Sequence, residues 1–393
     1  MDFSVPAELA DLRASFRAFL DREVRPVDER FRVEIQEDVA TGEMRDAATA
    51  LRRKSCEQGF YAAYFPEEEG GWGLSKLGMA MLVEDNYASG LRFAQYVIGP
   101  PNPEAPTTLL LECTPEQKAR YLTPLMRGET SMCFALTEPE AGSDAQAIRM
   151  RAERDGDFWV LNGVKHYITN GAHADFAIVF AVNDSAKRAS GGITAFIVEA
   201  GTPGFKVGKH QKTLAGDTNQ SELIFEDCRV PAANVIGQEG YGFYSAMKFL
   251  NAGRAFIGAM CVGTAEYLIR TAAEYAKVRT AFGRPIGKYQ AIQWMLADST
   301  VEVEAARLLA YQLAWKVDQG LDSLALARDS SIVKLNNTEM VNRVADRAVQ
   351  IFGGMGVLTE GPVEYAYRVS RMLRIVEGTS EIQRLIIARS LGL

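Results

Sequence analysis

The period of the apolar residues changes twice along this chain, and that double change constrains the fold more than any other feature. From about Ser131 to Ile236 the apolar runs are short, rich in β-branched and aromatic residues, and bounded by Gly, Asp and Pro, as in "FAIVFAV", "GITAFIVEA" and "SELIFEDCRV". On either side they recur at helical spacing. A sheet-forming block enclosed by helical blocks dictates an α+β architecture. The boundaries read as an N-terminal α domain over 1–130, a middle antiparallel β domain (sheet or barrel) over 131–236, and a C-terminal helical bundle over 237–393.

Local signals refine this division. The helical pattern runs from Phe3 to about Gly128, and its first helix should stop before Pro26. "TPEQKARYLTPL" opens a later helix, with Thr114 as cap, Pro115 in the first turn and Gln117 placed to complete a capping box. In "DGDFWVLNGVKHYITNG" the pattern predicts two strands joined by a turn at Asn162–Gly163. Further on, the segment from Tyr289 to Val317 sets Ile292, Met295, Leu296, Leu309 and Leu313 at helical spacing, and similar segments predict four or five C-terminal helices.

Composition removes several function classes. A net charge of −7 and an isoelectric point near 5.3 argue against a nucleic-acid surface, which needs clustered Lys and Arg. The five cysteines are scattered with no C-x-x-C pair, and none of the three histidines has a ligand partner at helical spacing. Neither a metal site nor a disulfide framework is expected, and a reducing compartment fits. With early acidic residues in "MDFSVPAELADLRASF", and no apolar run near the ~20 residues of a membrane span, the expectation is a cytoplasmic protein without a membrane segment.

Three stretches offer chemistry. "CFALTEPEAGSD" presents Thr137, Ala141, Gly142 and Ser143, whose exposed backbone amides suit a phosphate or a flavin edge, or alternatively a capped interdomain loop. "GGMGVLTEG" follows a helical run and lacks G-x-G-x-x-G spacing, so it reads as a glycine-rich helix terminus and not a Rossmann loop. "RTAFGRPIGKYQAIQ" sets Arg279 before a Phe-Gly break, as a phosphate partner or a solvated surface charge. Lastly, "RIVEGTSEIQR" places Glu377 before a glycine in a break between helices, where an acid is neither core nor an evident ion-pair partner.

"ALTEPEAGSD", "YITNG", "RTAFGRPI" with "QAIQ", "QIFGGMG" and "VEGTSEIQR", in this order and at these separations, resemble the acyl-CoA dehydrogenase family over essentially the whole chain. The resemblance implies FAD, an acyl-CoA substrate, an electron-transfer flavoprotein as acceptor, and a homotetramer built as a dimer of dimers, or a dimer. Carried over residue by residue, it sets Phe134, Leu136, Thr137, Gly142, Ser143, Tyr167, Ile168 and Thr169 around the flavin. Arg279, Phe282, Gln290, Gln350, Gly353, Gly354, Thr379 and Glu381 would hold the pyrophosphate and adenosine end across a subunit interface. Ser143, Asn251, Arg254 and Gly378 would contact substrate.

Glu377 matches the family's catalytic base, which removes the pro-R α-proton of an acyl thioester while the β-hydrogen leaves as hydride to flavin N5, giving the trans-2-enoyl thioester. In that family the base's own N–H and a flavin ribityl hydroxyl bond the thioester carbonyl. A minority branch carries its base beside an arginine on an earlier helix, and the matching place here is Gly253, next to Arg254, which leaves Glu377.

The match thins at four positions. "LNAGR" has Asn251 where L-D-x-G-R is usual, and Val376 stands before the base where medium-chain members often have Tyr, leaving room for a branched or bulky acyl group. Arg92 resembles the glutaryl-CoA branch's carboxylate-reading arginine, though a surface arginine is the alternative. Val369 stands where the family generally has Asp. Competing readings are a flavin oxidase, a dehydrogenase of carrier-protein-linked acyl groups, and a non-catalytic flavin-bound scaffold.

Overall fold

The α-helices in chain order are α1 (Ala7–Phe19), α2 (Arg25–Arg30), α3 (Arg32–Gln36), α4 (Gly42–Glu57), α5 (Lys76–Ala88), α6 (Pro115–Gln117), α7 (Thr123–Met126), α8 (Gly242–Val278), α9 (Gln290–Asp318), α10 (Ala327–Phe352), α11 (Glu364–Leu373) and α12 (Ser380–Arg389). This computed structural model describes residues 4–322 and 324–393, with backbone alone at 217 and 218. The helical pattern read from Phe3 therefore starts outside the described residues, and its first described helix is α1. The expected stop before Pro26 is corrected: the helical path widens into a π turn at Leu20–Val24 and continues without a gap into α2, which carries Pro26 in its first turn.

The chain divides into two compact units. One comprises Met1–Leu51, Leu74–Pro101 and Asn251–Leu393 and is helical. Within it α5 is buried from Gly78 to Asn86, acids included. Buried carboxylates need partners. Asp85 accepts Arg13 Nε at 2.7 Å, while Glu84 accepts Arg307 Nε at 3.1 Å and the Tyr311 hydroxyl at 2.8 Å.

Small residues set the spacing of the C-terminal helices. The buried face of α9 is Ser299, Val303, Ala306, Ala310, Leu313 and Ala314. Of the apolar positions expected to form it, only Leu313 is fully buried, because the true seam runs through alanines that let neighbouring helices approach. The Asn337 amide on α10 then donates to Gly258 O on α8 at 3.1 Å and Ala306 O on α9 at 3.0 Å, fixing the three helices in register.

The other unit comprises Arg52–Gly73 and Asn102–Leu250. Its strands are β1 (Met132–Ala135), β2 (Arg151–Asp155), β3 (Phe158–Thr169), β4 (Phe176–Val182), β5 (Ile193–Glu199), β6 (Phe205–Thr213) and β7 (Gly216–Pro231). They form a seven-stranded sheet in the order β1-β4-β2-β3-β7-β6, with β5 on β4. Pairing is antiparallel except where β4 meets β1 and β2 in parallel.

The expected turn at Asn162–Gly163 is corrected. β3 runs straight through those residues, and the hairpin turns earlier, at Gly156 (φ 59°), within the Asp-Gly step that opens the quoted stretch. Asn162 spends its side chain on the opposite strand, accepting Asp227 N at 2.8 Å beside a break in register between Leu161 and Gly163, so the Asn-Gly pair marks a bulge. The capping box at Thr114 and Gln117 forms as read. Among the described residues no helix is long and apolar enough to cross a membrane.

Candidate active site

The break between α11 and α12 exists because the sequence stops one helix and caps the next. α11 ends at Leu373, and Thr379 Oγ1 caps α12 by accepting Ile382 N at 3.3 Å. Between them two successive residues are left-handed, Glu377 at φ 53° and Gly378 at φ 90°. A non-glycine residue held there stores on the order of 1–3 kcal/mol and needs its surroundings to impose the conformation.

Those surroundings are polar side chains from α8, α10 and α12. Glu377 O accepts Arg254 Nη2 at 3.3 Å and Gln383 Nε2 at 3.2 Å. Gly378 O accepts Lys334 Nζ at 2.7 Å and Gln383 Nε2 at 3.0 Å. Glu339 ties the flanks, accepting Arg374 Nε at 3.0 Å and the Ser380 hydroxyl at 2.8 Å. With its carbonyl held, the Glu377 N–H meets no protein acceptor among the described residues.

The carboxyl itself is enclosed. Glu377 Oε2 is buried without a hydrogen-bond partner. Burial raises its pKa above the usual carboxylate range, opposed by the positive charges of Arg254 and Lys334. Burial pushes the Lys334 ammonium down to about 8 against the attraction of Glu377, and it lowers Arg254 too. A carboxyl with a raised pKa and an unspent oxygen is the pattern of a general base.

Asn251 takes the place of the usual acid: its Oδ1 accepts Arg254 Nη1 at 2.7 Å, so the carboxylate that acts on Arg254 is Glu377. Arg254, Asn251, Glu377 and Gly378 thus converge. Arg92 is half-buried with its guanidinium 3.0 Å from the Tyr365 ring centroid, and the Asp28 carboxylate is its acidic neighbour. Arg368, the residue before Val369, pairs with Asp38 and Glu364, each at 2.7 Å.

In the same unit a second group gathers near the end of α10. The α8–α9 connection is a small hairpin, Thr280–Ala281 with Arg284–Pro285, that carries Phe282 at its tip, 97% exposed. Arg279, Gln290, Gln350, Gly353 and Gly354 are exposed as well, whereas Glu381, exposed, and Thr379, half-buried, lie apart from them at the start of α12, where Ser380 bonds Glu339 in the middle of α10. Tyr275 stacks on Phe352 at 4.2 Å, which brings the last turn of α8 against the last turn of α10 and sets Arg279 near Gly353.

The sheet unit holds the remaining predicted positions. Phe134 on β1 packs on Phe180 and Phe249. Leu136 and Thr137 follow it, tied to β3 by Lys165 Nζ to Leu136 O at 3.0 Å and His166 N to Thr137 O at 2.9 Å. Gly142 and Ser143 are exposed. Tyr167 is 62% exposed at φ 59°, whereas Ile168 is buried in the sheet core and offers only its backbone. The Thr169 hydroxyl accepts Gln220 Nε2 at 3.1 Å.

Each unit, taken by itself, offers features that suit part of a flavin dinucleotide: Tyr167 and Gly142 in the sheet unit, Phe282, Gly353 and Gly354 in the helical unit. Two aromatic residues, Tyr167 and Phe282, stand exposed in left-handed conformations, and Gly142, Gly353 and Gly354 have open space where a Cβ would be. Sequence reading missed Lys334, Gln383 and Glu339. Lys334 was detectable as a charge on the apolar face of α10, one turn from Ser330, Asn337 and Thr338.

Comparison with known proteins is consistent throughout. Three family models match in succession: acyl-CoA dehydrogenase, N-terminal domain over residues 6–129, middle domain over 133–228 and C-terminal domain over 240–392. The rat (Rattus norvegicus) mitochondrial short-chain specific acyl-CoA dehydrogenase is 39% identical over 341 residues, covering 86% of this chain and 82% of the relative. The butyryl-CoA dehydrogenase of Megasphaera elsdenii superposes with a TM-score of 0.87 at 34% identity, over 100% of both chains. PigA, solved with FAD and proline, gives a TM-score of 0.89 at 29% identity, again over 100% of both.

Proposed function

The chain belongs to the acyl-CoA dehydrogenase family, and from that premise we propose that it oxidises a short-chain acyl-CoA to the trans-2-enoyl-CoA with Glu377 as the base. It is an FAD-dependent oxidoreductase acting on the CH–CH group. The observation that carries the assignment of Glu377 is its buried carboxyl oxygen without a partner, on a loop whose N–H is also unspent. Bound FAD supplies the acceptor for the β-hydrogen, which leaves as hydride.

The protein's own part is proton transfer and orientation. The Glu377 carboxylate takes the α-proton, and its N–H donates to the thioester oxygen as negative charge builds there, so one residue supplies base and oxyanion donor. The positive charges of Arg254 and Lys334 favour the carboxylate form and oppose the burial that raises its pKa. Phe134, Leu136, Thr137, Gly142, Ser143, Tyr167, Ile168 and Thr169 would border the flavin. Arg279, Phe282, Gln290, Gln350, Gly353, Gly354, Thr379 and Glu381 would hold the dinucleotide, completed by a second subunit of a homotetramer or dimer. Ser143, Asn251, Arg254 and Gly378 would meet the thioester, and an electron-transfer flavoprotein would reoxidise the flavin.

The short acyl chain rests on the 39% identity to the short-chain relative and on the Megasphaera butyryl-CoA dehydrogenase, set against 29% to PigA. Anaerobic bleaching of the flavin by a panel of short, medium, branched, aromatic and dicarboxylic acyl-CoAs tests it. Butyryl-CoA is expected to bleach fastest. Bleaching only by a carrier-protein thioester, or by none, would overturn the CoA assignment.

The raised pKa of Glu377 fixes the sign of the pH dependence. The active form is the carboxylate, so a raised pKa leaves more of it protonated in acid, and flavin reduction slows as pH falls through that value. Stopped-flow reduction between about pH 5 and 7.5, below the range in which Lys334 loses its charge, should rise with pH, with a midpoint above the ordinary carboxylate range near ~4.3. A rate flat over that range would remove Glu377 as the titrating base.

A further inference from the structure

Lys334 is fully buried on the core face of α10, where a Leu or Met would pack at no desolvation cost. Its ammonium donates to Gly378 O at 2.7 Å. That carbonyl already accepts Gln383 Nε2 at 3.0 Å, so satisfying it does not require the lysine. What Lys334 adds is a second, rigid attachment and a positive charge. The charged and titratable groups around it are Glu377 on the loop, Arg254 and Cys261 on α8, and Glu339 on its own helix. With Arg254 on the preceding carbonyl at 3.3 Å, two cations from different helices grip consecutive peptide oxygens of the left-handed pair.

We propose that Lys334 is a positioning residue for proton abstraction: fastened to the Gly378 carbonyl, it locks the left-handed Glu377–Gly378 pair and, with Arg254, supplies the positive charge facing the carboxylate. The role rests on Glu377 being the base. Locking matters because the two functions of Glu377 diverge from one Cα, so a rotation of its peptide planes that improves the carboxylate's reach spoils the aim of its N–H. A displacement of ~1 Å in such an arrangement costs on the order of 10²-fold in rate.

The test compares Lys334→Met, Lys334→Gln and Lys334→Arg in the flavin-loaded protein. Three readouts are taken: the flavin reduction rate against pH with butyryl-CoA, affinity for a non-reducible thioester analogue, and amide hydrogen exchange of the 374–384 segment, which needs no turnover. Lys334→Met is expected to lose about 10²-fold in reduction rate, to move the pH profile toward alkaline by about one unit or more, and to exchange faster in that segment, with analogue affinity unchanged. Lys334→Arg should keep the profile near wild type while the neutral Lys334→Gln shifts it. If Lys334→Met does not fold, the Gln and Arg variants carry the comparison, and coincident profiles for those two would overturn the proposal. So would a Lys334→Met protein with wild-type rate, profile and exchange, or a loss confined to analogue affinity. Glu377→Gln is run alongside: wild-type reduction there would sink the base assignment itself, whereas its loss together with a silent Lys334→Met would sink only the lysine's role.

Discussion

Glu377→Gln should keep its flavin yet lose reduction by butyryl-CoA by ~10³-fold or more, within the span that general-base catalysis supplies. The substitution is nearly isosteric, so the backbone can stay left-handed, held by Arg254, Lys334 and Gln383 through carbonyl oxygens that the amide leaves in place. What disappears is the basic oxygen. The N–H remains, so a thioester analogue should still bind and perturb the flavin spectrum. Glu377→Asp is the graded control: it keeps the charge but withdraws it by one methylene, and should fall between the two, near ~10²-fold. Anaerobic stopped-flow reduction reads all three proteins. A Gln variant that bleaches at the wild-type rate would mean that another group takes the proton.

Lys165→Met should be the most destabilising of these substitutions, by about 3–5 kcal/mol, because it strands a buried carboxylate. Lys165 is fully buried, with its ammonium 2.8 Å from Glu138 Oε1. Glu138 also accepts the backbone amides of Arg149 at 2.6 Å and Met150 at 3.0 Å, so it cannot swing out toward water without breaking the loop's own bonds. The lysine's other bond, to Leu136 O at 3.0 Å, anchors the start of the stretch proposed to border the flavin. Urea unfolding should show the loss, and FAD should dissociate more readily at a given protein concentration. The double variant Lys165→Met with Glu138→Gln should recover part of the stability, since it removes both charges together while the Gln oxygen still accepts the loop amides of Arg149 and Met150. A Lys165→Met protein as stable as wild type would mean that Glu138 finds a second counter-charge.

The order of helical and sheet blocks was legible because the period of burial is written locally, at 2 in strands and 3.6 in helices. The capping box at Thr114 was legible for the same reason, since both its bonds lie within one turn. The Asn162–Gly163 turn was misread because Asn-Gly also suits a bulge. What decides between the two is Asp227, far along the chain, whose amide the Asn side chain takes. The apolar face of α9 was likewise assigned to its large residues, whereas helix packing selects alanines there, and small residues carry little signal in a sequence pattern.

At the site, motif and spacing located Glu377 and its glycine but not what restrains them. Lys334 and Gln383 meet the loop through backbone carbonyls, and a carbonyl acceptor leaves no trace in residue identity. Asn251 was readable as a departure, while its consequence, that the charge acting on Arg254 is Glu377, required the fold.

The most direct measurement is product analysis of butyryl-CoA labelled with deuterium at C2, incubated with the protein, FAD and an artificial electron acceptor. The expected product is a trans-2-enoyl thioester that has lost one deuterium from C2 and one hydrogen from C3, formed more slowly than from unlabelled substrate, and absent with Glu377→Gln. Recovery of unchanged thioester, or of free CoA without an enoyl product, would contradict it.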